Sequence, residues 1–223
     1  MELVPRVLEE MMATTLYGSP GTASLCVHWM LIELGVPFEF VSLDFSKGEQ
    51  RAPGYLALNP TGHVPALVID GTAYGEAAGL LMLLAEYHPG AGFAPAIGAP
   101  DRALYLQWMF YLANTLMPAF RLFYYPIEGA GAGQEVATKA QAVTRIEKVL
   151  ARADALLADG RSHLLGNAMT APDFLLGMLA RWSRNLPRTA LDWPHLGDYV
   201  RRLRAMPSYQ ETHRREDLTG WTN

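Results

Sequence analysis

The apolar pattern of this chain changes kind at residues 88–100, and that change sets the architecture more firmly than any single motif. Before it, short β-branched and aromatic runs alternate with helical stretches; after it, every periodic stretch is helical. Thr14-Thr15-Leu16-Tyr17 reads as a strand stopped by Gly18-Ser19-Pro20-Gly21. A helical pattern runs from about Ser24 to Leu34 and ends at Gly35, with Pro37 just beyond. Phe38-Glu39-Phe40-Val41 alternates as a half-buried strand, and a weaker helical stretch near Tyr55 closes at Asn59-Pro60. Ala66 to Ile69 is an apolar strand, and Asp70-Gly71 is a two-residue hairpin signal leading into Thr72-Ala73-Tyr74. A helix follows from about Glu76 to Tyr87, giving the order β-α-β-α-β-β-α with the last two strands antiparallel. Parallel pairing of the first two strands needs a helical crossover, and the chain supplies one.

Residues 88–100 are rich in Gly, Pro and Ala and read as a linker between domains. Beyond them, Val136, Ala140, Val143, Ile146, Leu150, Ala153 and Leu157 recur at three- and four-residue steps, with Lys139, Arg145, Lys148 and Arg152 on the other faces. Another helix starts at Thr170-Ala171-Pro172-Asp173, where Thr170 and Asp173 have capping-box spacing, and Met169 and Phe174 stand where a hydrophobic staple would close. The expected layout is an N-terminal extension over 1–12, an α/β domain over 13–88, a linker over 89–100 and an all-helical domain over 101–223. No internal repeat of 20–50 residues is present.

Composition then excludes several classes. Half of the 223 residues are hydrophobic, the net charge is −4 and the pI is near 5.9. That balance argues against a nucleic-acid partner. The Arg cluster (Arg201, Arg202, Arg204, Arg214, Arg215) lies among acidic and polar residues and reads as a solvated helix face. A single cysteine, Cys26, excludes an internal disulfide and a Cys-based zinc site, and fits a reducing, cytoplasmic setting. The longest apolar run, Ala77 to Ala85, is well short of the roughly 20 residues of a membrane span, so no membrane association is expected. Residues 1–12 contain Glu2, Glu9 and Glu10 and do not read as a secretion signal. The six His residues are dispersed, so no metal is expected. Gly129-Ala130-Gly131-Ala132-Gly133 follows no strand and lacks a Gly-Lys-Ser, so it reads as a flexible interhelical loop rather than a phosphate cradle.

Several segments, taken jointly, resemble the cytosolic glutathione transferases of bacterial type. Asn59-Pro60-Thr61-Gly62-His63-Val64-Pro65-Ala66-Leu67 resembles that family's segment before the third strand. Glu76-Ala77-Ala78-Gly79-Leu80 resembles its third-helix start. Gln107-Trp108 and Pro118-Ala119-Phe120 resemble the first helix of its second domain, and Leu165-Gly166 with Thr170-Ala171-Pro172-Asp173 its capping motif. The resemblance covers residues 14 to about 215. It implies an α/β thioredoxin-like N-terminal domain plus an all-α C-terminal helical bundle. It also implies glutathione as co-substrate, a small hydrophobic electrophile as second substrate, and a homodimer.

The same resemblance distributes the site residues. Glutathione has a peptide backbone, so a free strand edge can bind it by strand addition. Val64 is implied to offer its N–H and C=O to the cysteinyl part, and Pro65 to follow a cis bond. A helix N-terminus suits the γ-glutamyl carboxylate. Here Glu76 matches the family's acid, whereas Ala77 stands where its members carry Ser. A lost hydrogen bond to a charged group costs about 1.5–3 kcal/mol, which predicts weaker glutathione binding. His63 is implied to help hold the cysteinyl-glycine end, or it is an exposed loop histidine.

The thiolate partner stays open among three hydroxyls. The thiol is a poor nucleophile until ionised, and a hydroxyl near the first helix N-terminus stabilises the anion. Matching Leu16-Tyr17 to the Leu-Tyr of many members puts Thr22 at the catalytic hydroxyl position, ahead of Ser24 and Tyr17. The alternative for Thr22 and Ser24 is plain helix capping. In the same register Ala23 falls where beta-class members carry a reactive Cys, and Met117 where they carry a His, so beta-type cysteine chemistry is not expected. Reductase, lyase or isomerase use of glutathione, and a non-catalytic ligand-binding or interaction protein on the same fold, remain the alternatives. Trp108, Tyr111, Met117, Phe120, Tyr124 and Tyr125 supply the aromatic material for the electrophile side, with two or three expected to face it.

Overall fold

A computed structural model describes residues 13–221; the N-terminal extension expected over 1–12 lies outside them. The chain divides into two compact units. The first comprises residues 13–91 together with Pro207–Thr219, and the second comprises Gly92–Met206 with residues 220–221.

The first unit is built on a four-stranded sheet in the order β2-β1-β3-β4. β1 (Thr14–Gly18) runs parallel to β2 (Glu39–Ser42) and antiparallel to β3 (Ala66–Ile69), which pairs antiparallel with β4 (Thr72–Tyr74). The hairpin turn puts Asp70 at φ 48° and Gly71 at φ 79°, the left-handed values that Asp-Gly tolerates. Crossover helix α1 (Leu25–Leu34) is buried from Leu25 to Leu31, which is why it carries no polar stripe. Gly35 ends it in the left-handed conformation, its N–H bonding back to Ile32 and Leu31. A short α2 (Pro53–Leu58) and then α3 (Ala77–Tyr87) complete the expected order. Gly18 closes β1 because nothing larger fits: a Cβ there would stand 2.4 Å from Ser24 Oγ and 2.8 Å from the Phe40 ring.

The second unit is helical: α4 (Arg102–Tyr111), one π turn (Leu112–Leu116), α5 (Met117–Tyr124), α6 (Pro126–Ala130), α7 (Glu135–Leu157), α8 (Ala171–Trp182) and α9 (Pro194–Arg204). The π turn ends two residues before Pro118, which cannot donate to a carbonyl one turn back, so the helix widens there rather than breaking. α8 is buried from Ala171 to Arg181 and forms the centre of the unit. Its N-terminus carries the expected capping box, with the Thr170 N–H and hydroxyl donating to Asp173 Oδ2 at 2.8 and 2.9 Å. Phe174 packs edge-on against Phe93, whose carbonyl accepts from the Ala171 N–H.

Three sequence readings differ from the fold. The glycine-rich run at 129–133 is not wholly a loop, since Gly129 and Ala130 end α6; a Cβ on Gly129 would meet Leu122 Cδ2 at 2.4 Å, so glycine permits that helix to lie on α5. Arg204 is buried with its guanidinium over the Trp221 ring, unlike Arg201, Arg202, Arg214 and Arg215, because an Arg stem can cover apolar surface. Finally, α10 (Pro207–Arg215), read from the sequence as part of the second domain, groups with the first unit and packs on α1. Trp29 Nε1 donates to Ser208 Oγ at 2.9 Å, and the Trp29 and Tyr209 rings meet edge-on.

Candidate functional site

Strand register gathers the candidate residues of the first unit at one end of the sheet. Tyr17 faces Ala66 and Leu67 faces Tyr74, so the end of β1, the start of β3 and the end of β4 are neighbours. The loops leaving those ends are Ser19–Ser24, His63–Pro65 and Gly75–Glu76.

The 59–65 loop is fixed from beneath. The Asn59 amide and the Tyr55 hydroxyl both donate to the His63 carbonyl. The Thr61 N–H and hydroxyl donate to Asn59 Oδ1, and Thr61 Oγ1 accepts from the His63 N–H at 3.2 Å. The Val64-Pro65 bond is cis. Among the described residues no backbone group pairs with the N–H or C=O of Val64. That is the state of an edge available for strand addition. The His63 side chain is exposed.

Glu76 precedes α3 at φ 66°, ψ 100°, a conformation costly for a residue with a Cβ. Strain of this kind persists where the surroundings impose it, and here it lies directly before the first turn of α3, whose N–H groups have no partner within the helix. Glu76 is exposed, whereas the Ala77 methyl is buried. A Ser hydroxyl in place of the Ala77 methyl would therefore start from a buried position in the first turn of α3.

The loop after β1 holds a compact hydroxyl cluster. Thr22 Oγ1 donates to the Ser19 carbonyl at 2.6 Å and lies 3.1 Å from Ser24 Oγ. Ser24 Oγ accepts from the Ser19 N–H and donates to the Ser19 carbonyl, each at 3.2 Å. Ser24 is fully buried and Thr22 is half-exposed. Neither hydroxyl caps α1: Ser24 makes no side-chain bond to the helix start, and the bond from the Leu25 N–H goes to the Thr22 carbonyl. Tyr17 lies apart from this cluster, packed with Leu43, Tyr55 and Ala66 beside Val64. Cys26 is buried, and that burial pushes its thiol well up, which makes it inert. Among the described residues no group of three His, Cys, Asp or Glu side chains could hold a metal.

Two residues of this loop's support carry no signal in the sequence. Glu216, one residue beyond α10, accepts from the Gly21 N–H through Oε2 and from His28 Nδ1 through Oε1, both at 2.7 Å. Both side chains are entirely buried. Glu216 reads as one more charge in a charged tail, and 195 residues separate it from Gly21.

In the second unit the aromatic supply divides. Trp108 and Phe120 are core, and the Tyr124 hydroxyl donates to the Trp182 carbonyl at 2.6 Å. Tyr111 and Met117 are half-buried, and Tyr125 is exposed. Arg152 lies over the Tyr111 ring at 4.5 Å. Phe110, which the sequence does not single out, is also exposed.

A thioredoxin-like sheet with an open backbone edge at a cis-proline, carried by a chain whose other unit is all-helical, defines the class of the two-domain glutathione transferases. Comparison with known proteins agrees. Residues 12–77 match the model of the glutathione S-transferase N-terminal domain, and 112–207 match that of its C-terminal domain. Glutathione S-transferase GST-4.5 of Xanthomonas campestris is 34% identical over 173 residues, covering 75% of this chain and 81% of the relative. Glutathione S-transferase GstA of Escherichia coli O157:H7 is 27% identical over 205 residues, covering 91% and 98%. Among solved structures, a sphingomonad glutathione S-transferase complexed with glutathione superposes with a TM-score of 0.80 at 31% identity, over 92% of this chain and 100% of that one. A Sulfitobacter glutathione transferase homologue with bound glutathione gives 0.84 at 27% identity, over 92% and 99%. The chain belongs to the glutathione S-transferase family, and it is an enzyme of that class.

Proposed function

We propose that this enzyme binds glutathione along the Val64 backbone edge, ionises its thiol beside Thr22, and delivers the thiolate to a small apolar electrophile. The observation that carries the thiolate assignment is the division of labour among the three candidate hydroxyls. Tyr17 packs in an apolar cluster, and Ser24 is fully buried with its oxygen spent on Ser19. Thr22 is half-exposed, and its hydroxyl has a substitute behind it. When the sulfur arrives, Thr22 turns its proton from the Ser19 carbonyl to the thiolate, and the Ser24 hydroxyl keeps that carbonyl satisfied. The free N–H groups and dipole at the start of α1 favour the same anion.

In this reading the γ-glutamyl ammonium meets Glu76, and the carboxylate meets the N–H groups of Ala77 and Ala78. His63 stands over the glycine end. The electrophile is taken as apolar because Tyr111 and Met117 are half-buried and Phe110 and Tyr125 are exposed along and just beyond α4 and α5. The protein works as a cytoplasmic homodimer without a metal. The free, buried Cys26 fits a reducing compartment, and no helix among the described residues is long and apolar enough to cross a membrane.

Replacing Thr22 by Ala tests the assignment: kcat with a model aromatic electrophile should fall by about tenfold or more, the value of one charge-assisted hydrogen bond. Unchanged turnover would remove Thr22 from the mechanism. Binding of glutathione, read by titration calorimetry, with no turnover by the unaltered protein across a panel of electrophiles would favour a binding protein instead. Sedimentation at the mass of a single 24.6 kDa chain would contradict the dimer.

A further inference from the structure

Glu216 is a buried ionisable group of the first unit that the proposed chemistry leaves unused. A carboxylate taken out of water is stable only when its oxygens are paired, and each of these has one short bond. Oε2 holds the Gly21 N–H, and Oε1 holds His28 Nδ1. The two donors belong to different parts of the site: Gly21 is the residue before Thr22, while His28 is one turn into α1 beyond Ser24. His28 is immobilised in turn. Its ring stacks on Phe40 at 4.4 Å and meets Phe38 edge-on at 5.4 Å, and its N–H bonds the Ser24 carbonyl at 2.9 Å.

The carboxylate is delivered from the far end of the chain. The Glu216 N–H bonds the Thr212 carbonyl, so the residue continues the last turn of α10. α10 is pinned to α1 at its other end by Ser208 and Trp29. Gly21, at φ 70°, takes a left-handed conformation that glycine adopts without a Cβ penalty.

We propose that Glu216 is a positioning residue for thiolate activation: by tying the Gly21 amide to His28 it fixes the turn that aims the Thr22 hydroxyl at the sulfur. This rests on the reading of Thr22 given above. The reach of the side chain matters more than its charge. Glu216→Gln keeps the length and one acceptor for the Gly21 N–H; Glu216→Asp keeps the charge but is one methylene too short to hold both donors.

The test compares Glu216→Gln, Glu216→Asp, Glu216→Ala and Thr22→Ala, each at a temperature where circular dichroism finds it folded. The readouts are kcat, KM for glutathione, and the pH at which bound glutathione ionises, followed by thiolate absorbance. Glu216→Asp and Glu216→Ala should raise that pH by about one unit and lower kcat by about tenfold, with KM changing by less than about threefold. Glu216→Gln should stay closer to the unaltered protein than Glu216→Asp. The two full-reach or charge-retaining variants decide the matter even if the Ala variant does not fold. Unchanged ionisation in Glu216→Asp, or Gln worse than Asp, overturns the positioning role. Unchanged ionisation in Thr22→Ala overturns the Thr22 reading, and the positioning role with it. A shift in Thr22→Ala without one in Glu216→Asp overturns the positioning role alone.

Discussion

Among the described residues each unit buries one carboxylate, and the two are satisfied in different ways. Asp173 in the second unit accepts from near neighbours: the Thr170 N–H and hydroxyl, and the Leu164 N–H nine residues back. Only the Tyr199 hydroxyl, at 2.8 Å, comes from farther away. Glu216 in the first unit accepts from Gly21 and His28, 195 and 188 residues away. Asp173 closes a local motif that would form in any chain with this spacing, whereas Glu216 ties the two ends of the sequence together. The first arrangement serves folding of its own unit. The second also reaches the loop that carries Thr22, so under the proposals above it would couple the C-terminal segment to the chemistry.

Replacing Asp173 by Ala should give the largest loss. It strands buried donors at Leu164, Thr170 and Tyr199, and about 3 kcal/mol of stability should go with them. In a thermal melt that corresponds to a midpoint lower by about 6–12 °C. Where still folded, the variant should ionise bound glutathione at an unchanged pH; a shift there would erase the contrast with Glu216. Glu216→Ala should cost less stability, about 2 kcal/mol, because fewer donors are stranded. A loss larger than that of Asp173→Ala would mean that the long-range tie is the main structural element. Ser24→Ala should cost about 1 kcal/mol, since it leaves the buried Ser19 N–H without its acceptor. Chemical denaturation at constant slope would measure it.

The smallest effect is a pH dependence carried by Asp173. Burial pushes the Asp173 carboxyl above the ordinary carboxylate range, opposed by the bonds from Leu164, Thr170 and Tyr199. The folded state then holds its proton more tightly than the unfolded state. The contribution is full below the ordinary value, and it is lost as pH rises through the raised folded value. Stability of the second unit should therefore decline across that window, and Asp173→Asn should flatten the decline. Melts repeated through the acidic range would detect it, and an increase of stability with pH in the same window would reverse the assignment.

Most of the fold was legible because its determinants are local. Alternation, the Asp70-Gly71 turn, Gly35 after α1 and the Thr170–Asp173 spacing each act within a few residues. The boundaries of β3 and β4 agree with the pattern to the residue, and α7 starts one residue earlier than its pattern, at Glu135. The Val64-Pro65 turn and the start of α3 were legible as a motif. The cis bond at Pro65 was implied by that motif and is present, whereas the geometry at the start of α3, with Glu76 at positive φ and the Ala77 methyl buried, was not legible. For the hydroxyls, the matched register ranks Thr22 ahead of Ser24 and Tyr17 without saying what each one touches. Sheet packing and burial are what distinguish them, because both depend on which atoms lie across the turn.

By itself the sequence determined two units of different construction and the order of their elements. Hydrophobic periodicity and turn chemistry are near-neighbour properties, so one chain read in order contains them. The tertiary structure alone decided that α10 joins the first unit, that Ser24 faces inward while Thr22 does not, and that Glu216 holds Gly21 and His28. A buried carboxylate must find donors wherever the fold brings them, and nothing in the spacing of a charged tail says which ones those are.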